Sequence, residues 1–434
     1  MTRKIYLIAA LLIFVAGVLI TFLLLRRSER NYVNVLPEDA RAVAEVDLTT
    51  LSEPGMTELI KSSLQCDTHM VERLGLSTER PAYLFATDEG RLGLVAAIQD
   101  MNLLNSELQA QGHAVESQRG LKWCHVDSWL VAFDRHRVLV MECDAVTNEV
   151  SLRKQMVEMM KSTKPASLLA SLDSQAGSIR LAAQLDGSML NIPNELVDKL
   201  LSLMLKEHPI LQASVSLGEH AYSLSADLVQ TPAEEGQTGV RPSDVFHPIQ
   251  GHLGETGPSC PLFWAGINIS GEQLLQLMRK IPALRTMLIS VNLFFDADIV
   301  IRSVNGDVSL AVTEGDDMQT QWLLTAQLSD TSFLRNVPSW ERTLSLSSIF
   351  RFQVLQESDF LLVMPDNSSF YFGVRDDMLY VTPSATLALE ACHQTVPADG
   401  FERDGANGRQ FFVTADASRT LPILSSFLKT FARR

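Results

Sequence analysis

Residues Ile5 to Leu25 form an unbroken apolar run, preceded by Arg3 and Lys4 and followed by Arg26, Arg27 and Arg30. At the helical rise of ~1.5 Å per residue such a run just crosses a hydrocarbon core ~30 Å thick. A cleaved signal peptide has a shorter apolar core and a small-residue cleavage site. Here Leu23-Leu24-Leu25 leads straight into Arg26, and no cysteine follows for a lipid anchor. The segment predicts an uncleaved single-pass membrane anchor. Counting basic flanks nearly ties the two orientations. The short N-terminal tail is the part more easily kept inside, which places the bulk of the chain on the extracytoplasmic, periplasmic side of an inner (plasma) membrane.

The rest of the chain has the composition of folded domains. The whole chain is 46% hydrophobic and 20% charged, unlike disordered chains, which are poor in apolar residues and rich in charge. Some 400 residues suffice for two or three domains with proper cores. The net charge of −15 argues against a nucleic-acid partner, which needs clustered Lys and Arg to neutralise phosphates. Cys66, Cys124, Cys143, Cys260 and Cys392 are odd in number and contain no C-x-x-C. Neither a zinc ribbon nor a thioredoxin-like site is therefore indicated. Cys124 and Cys143 fall on strands with another between them, about 10 Å apart, too far for a disulfide.

The Pro- and Gly-rich stretch from Gln230 to Cys260 reads as a linker. The expected organisation is thus residues 1–30 as tail and anchor, 31–230 as a first half, 231–259 as linker and 260–434 as a second half. The two halves share a design. Ala42–Leu48 and Phe263–Ile269 are short apolar strands, each followed by a helix, over 56–64 and 272–281. The unit returns late in each half, with strand 180–186 before a helix over 195–206 and strand 411–416 before a helix over 421–431. The polar residue closing each strand recurs as Asp47, Asp186, Asn268 and Asp416. Turn and helix-cap chemistry accounts for it, side-chain oxygens accepting backbone N–H groups. An internal duplication is expected, with Asp47 over Asn268 and Asp186 over Asp416.

Between these units the sequence predicts antiparallel strands. Asn305-Gly306 flanked by alternating apolar residues reads as a hairpin within 301–313. Glu314-Gly315-Asp316-Asp317 turns the chain into 319–328. Strict alternation over 211–229, and a meander over 122–126, 129–133 and 138–142, give sheets with helices packed against them. The fold class is α+β. Asp100 and Gly112 bracket a helix over 102–111, Ser270 and Gln273 form a capping box, and Leu196, Leu200, Leu203 and Met204 make an apolar stripe. Met156, Met159 and Met160 read as core rather than as an adaptable groove.

Three stretches resemble a family of Bacteroidetes envelope proteins catalogued as domain of unknown function 4836. They are Leu36-Pro37-Glu38-Asp39-Ala40 leading into Val43–Leu48, the Val304–Thr313 segment with Gly306-Asp307-Val308, and Phe370–Val374 with Leu379–Thr382. The resemblance implies an envelope location. It implies no activity and no catalytic residues, and this chain departs from the family's frequent lipoprotein signal.

Signatures of chemistry are weak. H-E-x-x-H, G-x-S-x-G, Walker and dinucleotide glycine motifs do not occur. Ser151–Lys154 and Ser426–Lys429 match S-x-x-K, but the companion S-D-N and K-T-G elements of penicillin-binding enzymes are missing. Asp296 and Asp298, two apart, read as one face of a strand that could meet a cation, although hard cations want more oxygen ligands. His247, His252 and Cys260 fall short of a zinc set. The reading has no catalytic, cofactor or metal residues and no cofactor. It is of a membrane-anchored envelope protein that binds or scaffolds an envelope protein partner without catalysis. Alternatives are a carrier of an apolar ligand and a hydrolase with an unrecognised site.

Overall fold

The computed structural model describes residues 32–52, 70–144, 147–185, 209–218, 220–229, 241–251, 258, 261–314, 320–347, 350–356, 358–391 and 403–420. The apolar run 5–25, the helices expected at 56–64, 195–206 and 421–431, and Cys66, Asp186, His252, Cys260, Cys392 and Ser426–Lys429 lie outside them. Among the described residues no helix is long and apolar enough to cross a membrane. The fold is α+β, built on antiparallel strands.

The described chain gathers into two units, 32–52 with 70–174, and 175–420. The stretch 231–259 falls within the second.

The first unit holds β1 (Ala42–Val46), β2 (Ala82–Ala86), β3 (Leu92–Ala97), α1 (Met101–Ala110), β4 (Val115–Gln118), β5 (Leu121–Val126), β6 (Trp129–Phe133), β7 (Arg137–Glu142) and α2 (Glu149–Lys161). Every pairing is antiparallel, and the spatial order is 4-5-6-7-3-2-1. The expected meander is β5–β7. Asp100 caps α1 by accepting from Asn102 N and Leu103 N, and Asn148 caps α2 through Val150 N and Ser151 N, satisfying amides that have no partner inside a helix. Gly112, at φ +87°, follows α1. One sheet face packs Ala96, Val131, Phe133 and Val138 under Leu104 and Leu108 of α1. On the other, Leu130, Leu139 and Met141 are fully buried, as are Leu152 and Met156 of α2. The methionines are core.

The second unit contains β8 (Ile179–Gln184), β9 (Ile210–Leu217), β10 (Ala221–Val229), β11 (Phe246–His247) and β12 (Phe263–Ser270). Then come α3 (Gly271–Lys280), α4 (Pro282–Asn292), α5 (Ala297–Ser303), β13 (Val304–Glu314), β14 (Thr320–Leu328) and α6 (Val337–Ser347). They are followed by β15 (Arg351–Gln356), β16 (Asp359–Val363), β17 (Ser369–Arg375), β18 (Met378–Thr382), α7 (Ala385–Glu390) and β19 (Phe411–Asp416). Its order begins 15-16-17-18-14-13-12, the order of the first unit strand for strand. It continues 19-10-9-8.

One sheet face carries the apolar core of Trp340, Leu344, Phe333, Phe352 and Phe360. The opposite face is buried too, and sets polar side chains among the apolar Trp264, Ala311, Leu323 and Phe412. A single cross-strand row runs Ser214, Ser225, Phe412, Gly266, Ser309, Thr325, Tyr380, Gly373, Asp359. Its hydroxyls pair with one another, Ser214 with Ser225 and Ser309 with Thr325, each at 2.7 Å. Buried polar groups are tolerated when they find partners of this kind.

Four sequence expectations are corrected. Asn305-Gly306 makes no hairpin: β13 runs straight through it, Asn305 and Gly306 facing Ser270 and Ile269 of β12. The glycine, at φ +137°, serves an irregularity on the other edge, where pairing with β14 breaks between Val304 and Val308; bulges exploit glycine in this way. Asp296 and Asp298 lie not on a strand but at the start of α5. Ser270 sits at the N-cap of α3 without a side-chain capping bond. The described part of the expected linker, 241–251, is packed rather than loose. It forms a helical turn over Pro242–Val245 and strand β11 on β12, with Val245 and Ile249 buried. Three apolar residues among its prolines, Val245, Phe246 and Ile249, draw it onto the sheet.

Candidate functional site

The described repeated polar positions, Asp47, Asn268 and Asp416, each bond within their own surroundings. Asp47 follows β1 and closes a turn: its Oδ1 accepts from Thr49 N at 2.9 Å and Thr49 Oγ1 at 2.8 Å, and Thr50 Oγ1 donates to its carbonyl. Asp416 does the same as the last residue of β19, accepting from Ser418 Oγ at 2.7 Å and Arg419 N at 2.9 Å, while Thr420 Oγ1 donates to its carbonyl. Burial would raise the Asp416 pKa, but these bonds and the Arg419 guanidinium outweigh it and hold the carboxyl below the usual range. Asn268 departs from the expectation. It lies inside β12, buried, and its Nδ2 donates to Asp307 Oδ1 at 2.7 Å. The strand runs two residues further before its helix starts, so the turn falls at Ser270 instead.

Buried and half-buried carboxylates are bound up in the fold. Asp307 accepts from Asn268 and from Gln250 N. Asp296 accepts from Asn336 Nδ2 and Trp340 Nε1, tying α5 to α6. Asp298 binds Arg279 and Asn292; these bonds overcome burial and lower its pKa. The two carboxylates thus serve different neighbours. His247 is exposed, with its ring nitrogen 3.2 Å from Asp244 O. Ser151 and Lys154 are exposed on α2. The Cys124 and Cys143 thiols are free, and burial raises both pKa values, the opposite of nucleophile activation. Among the described residues no group of three or more His, Cys, Asp or Glu could hold a metal.

Two arginines invisible to motif reading do comparable work in the two units. Arg137, at the β6–β7 turn, pairs with Asp134 at 3.1 Å and donates to Met160 O near the end of α2 at 2.6 Å. Arg375, at the β17–β18 turn, pairs with Asp359 at 2.8 Å and donates to Ala388 O of α7 at 2.9 Å. A cation on the last carbonyls of a helix is favoured by the helix dipole. The signal was an Arg beside the same hairpin of each half.

One concavity among the described residues is an open cleft of about 450 Å³ in the first unit, lined by Met101, Lys122, Phe133, Asp134, Arg135 and His136 among others. Lys122 Nζ lies 5.9 Å from the Phe133 ring centre. In the second unit Arg403 is buried over Trp264, 5.8 Å from its ring centre, and burial pushes its pKa down to about 10. Trp264 Nε1 and Thr414 Oγ1, on facing positions of β12 and β19, are buried without a hydrogen-bond partner.

No family model matches the chain, and no curated protein matches it. Among solved structures it is similar to TP0453: one crystal form shares 13% identity, covering 45% of this chain and 79% of the other with a TM-score of 0.32. A second crystal form gives 11% identity, coverage of 47% and 81%, and a TM-score of 0.32. The DNA polymerase III beta chain of Streptococcus pneumoniae aligns over 86% of this chain and 98% of its own at 9% identity and a TM-score of 0.14.

Proposed function

We propose that the chain is a membrane-anchored bacterial envelope protein, held by residues 5–25 in the inner membrane with its folded region in the periplasm. In this role it binds or scaffolds an envelope protein partner without catalysis. The observation that carries the proposal is the apolar run of spanning length between basic flanks, followed by a body whose first described residue, Tyr32, is already packed at 4% exposure. The saturation of the inner carboxylates by structural donors supports a binding rather than a catalytic role, since a general acid or base must face its substrate. The described cleft is open to solvent, unlike the closed apolar chamber a carrier needs.

The shared strand order and the matching arginines support an internal duplication of the sheet. Envelope membership of the family resembled in three stretches fits the same reading. The test is to isolate the full chain from native membranes, sequence its N-terminus and identify co-purifying proteins. Retention after alkaline extraction, with residues 5–25 present, is expected. A mature chain starting after Arg26, or one released as a soluble protein, refutes the anchor.

A further inference from the structure

The largest run of exposed apolar side chains among the described residues is on α4 and the turn after it. Met287 is 48% exposed, Ile289 60%, Val291 36%, Leu293 70% and Phe294 37%. Leu284 and Leu288 are the buried side of the same helix. Around the helix Met287 and Val291 lie together, and Ile289 and Leu293 lie on the far side of the exposed Thr286 and Ser290, so the solvent-facing side is apolar at both margins. Isolated exposed apolar residues are ordinary, but five between 287 and 294 mark an interaction surface. The patch sits in the β12–β13 connection, whereas the β1–β2 connection opens with a 3-10 turn over Leu48–Ser52.

We propose that α4 docks on the surface of a phospholipid bilayer. Between Glu272 and Asp296 the chain holds Arg279, which pairs with Asp298, and Lys280 and Arg285, with no acidic residue among them, within a chain of net charge −15. Lys280 and Arg285 are exposed beside the patch. Aliphatic and Phe side chains next to cations suit a helix lying at the boundary of anionic headgroups and acyl chains. A second copy is the poorer occupant, because a two-fold pairing of this patch would bring the cations of both copies together. The proposal rests on the anchored reading in one respect. Residues 26–31 reach at most about 20 Å, so an anchor at 5–25 keeps the body near the bilayer and makes the second contact effectively intramolecular.

The full chain is reconstituted into phosphatidylethanolamine–phosphatidylglycerol vesicles doped with a diazirine phosphatidylcholine. It is then photolysed, and labelled tryptic peptides are mapped. Label is expected in the anchor peptide and in peptide 286–302. The variant Met287→Glu/Ile289→Glu/Leu293→Glu, altered only at exposed positions, should lose label in 286–302 and keep it in the anchor; Leu293→Glu alone should lose part of it. Label in the anchor but not in 286–302 overturns the docking and leaves the anchor standing. Label in 286–302 alone supports the docking and refutes the anchor, and label in neither refutes both. Protein crosslinks between copies through 286–302, in place of lipid label, also overturn the proposal.

Discussion

Arg375→Met tests the account of the buried polar face most directly. Asp359 is 8% exposed, and its carboxylate has two donors, Arg375 Nη2 at 2.8 Å and the Tyr380 hydroxyl at 2.7 Å. The guanidinium also lies 4.9 Å from the Tyr380 ring centre and holds Ala388 O of α7. Methionine keeps much of the volume and removes the charge, leaving Asp359 with Tyr380 alone. Breaking one side of a buried ion pair costs ~3–5 kcal/mol; with the Arg375 side chain 25% exposed, the low end, about 3 kcal/mol, applies. For a unit of this size each kcal/mol moves the melting temperature by ~2–4 °C, so a fall of roughly 6–12 °C is expected. The measurement is thermal unfolding of the detergent-solubilised full chain by circular dichroism. Adding Asp359→Asn removes the stranded charge and should recover a good part of the loss, giving a coupling of about 1.5 kcal/mol or more. A melting temperature within 2 °C of the parent's, or strict additivity in the double variant, would refute the claim that this pair holds the sheet face and α7 together.

Asp416→Ala should cost about 1 kcal/mol through the lost cap. Because the folded-state pKa of Asp416 lies below its unfolded value, its contribution is complete above ~pH 4 and is lost as pH falls through the folded pKa. Acid melts of the Ala variant should therefore lack that part of the parent's decline, and identical acid limbs would count against the bonded carboxylate. At Gly266 an added Cβ would meet the Trp264 indole, with Cη2 at 2.6 Å and Cζ3 at 3.0 Å. Gly266→Ala should cost ~1–3 kcal/mol through overpacking and alter the near-ultraviolet circular dichroism. An unchanged melt would mean that the indole does not lie over that position.

What could be read beforehand depended on how local its cause was. The β5–β7 meander and the β9–β10 hairpin were legible because alternating side chains and tight turns act within a few residues. The α1 boundaries followed from Asp100 and Gly112, whose effects are equally local. Asn305-Gly306 misled because a dipeptide says only that the backbone can take positive φ. Whether glycine then makes a hairpin or a bulge was decided by β12, whose ladder runs past it. Asp296 and Asp298 misled similarly: spacing by two suits a strand, yet Asn336, Trp340 and Arg279, remote in sequence, fix them at the start of a helix. The buried row from Ser214 to Asp359 crosses nine strands and exists only once the register is set.

Asn268 lies near the end of β12, as Asp47 does after β1, but its chemistry differs from that aspartate's. After β1 the chain turns at Asp47, whose carboxylate serves its own turn. The corresponding strand β12 runs on to Ser270 before entering α3. An aspartate at 268 would then face Asp307 from the neighbouring strand, for these residues are register partners and both are buried. Two carboxylates at that separation repel when charged. The amide removes the repulsion and supplies a donor to Asp307, which also accepts from Gln250 N and so fixes the segment 246–251 that the sequence presents as linker. The end of β12 at Ser270, the amide at 268 and the packing of 246–251 are thus linked through Asp307. That end of β12 lies immediately before the α3–α5 segment that carries the exposed apolar helix.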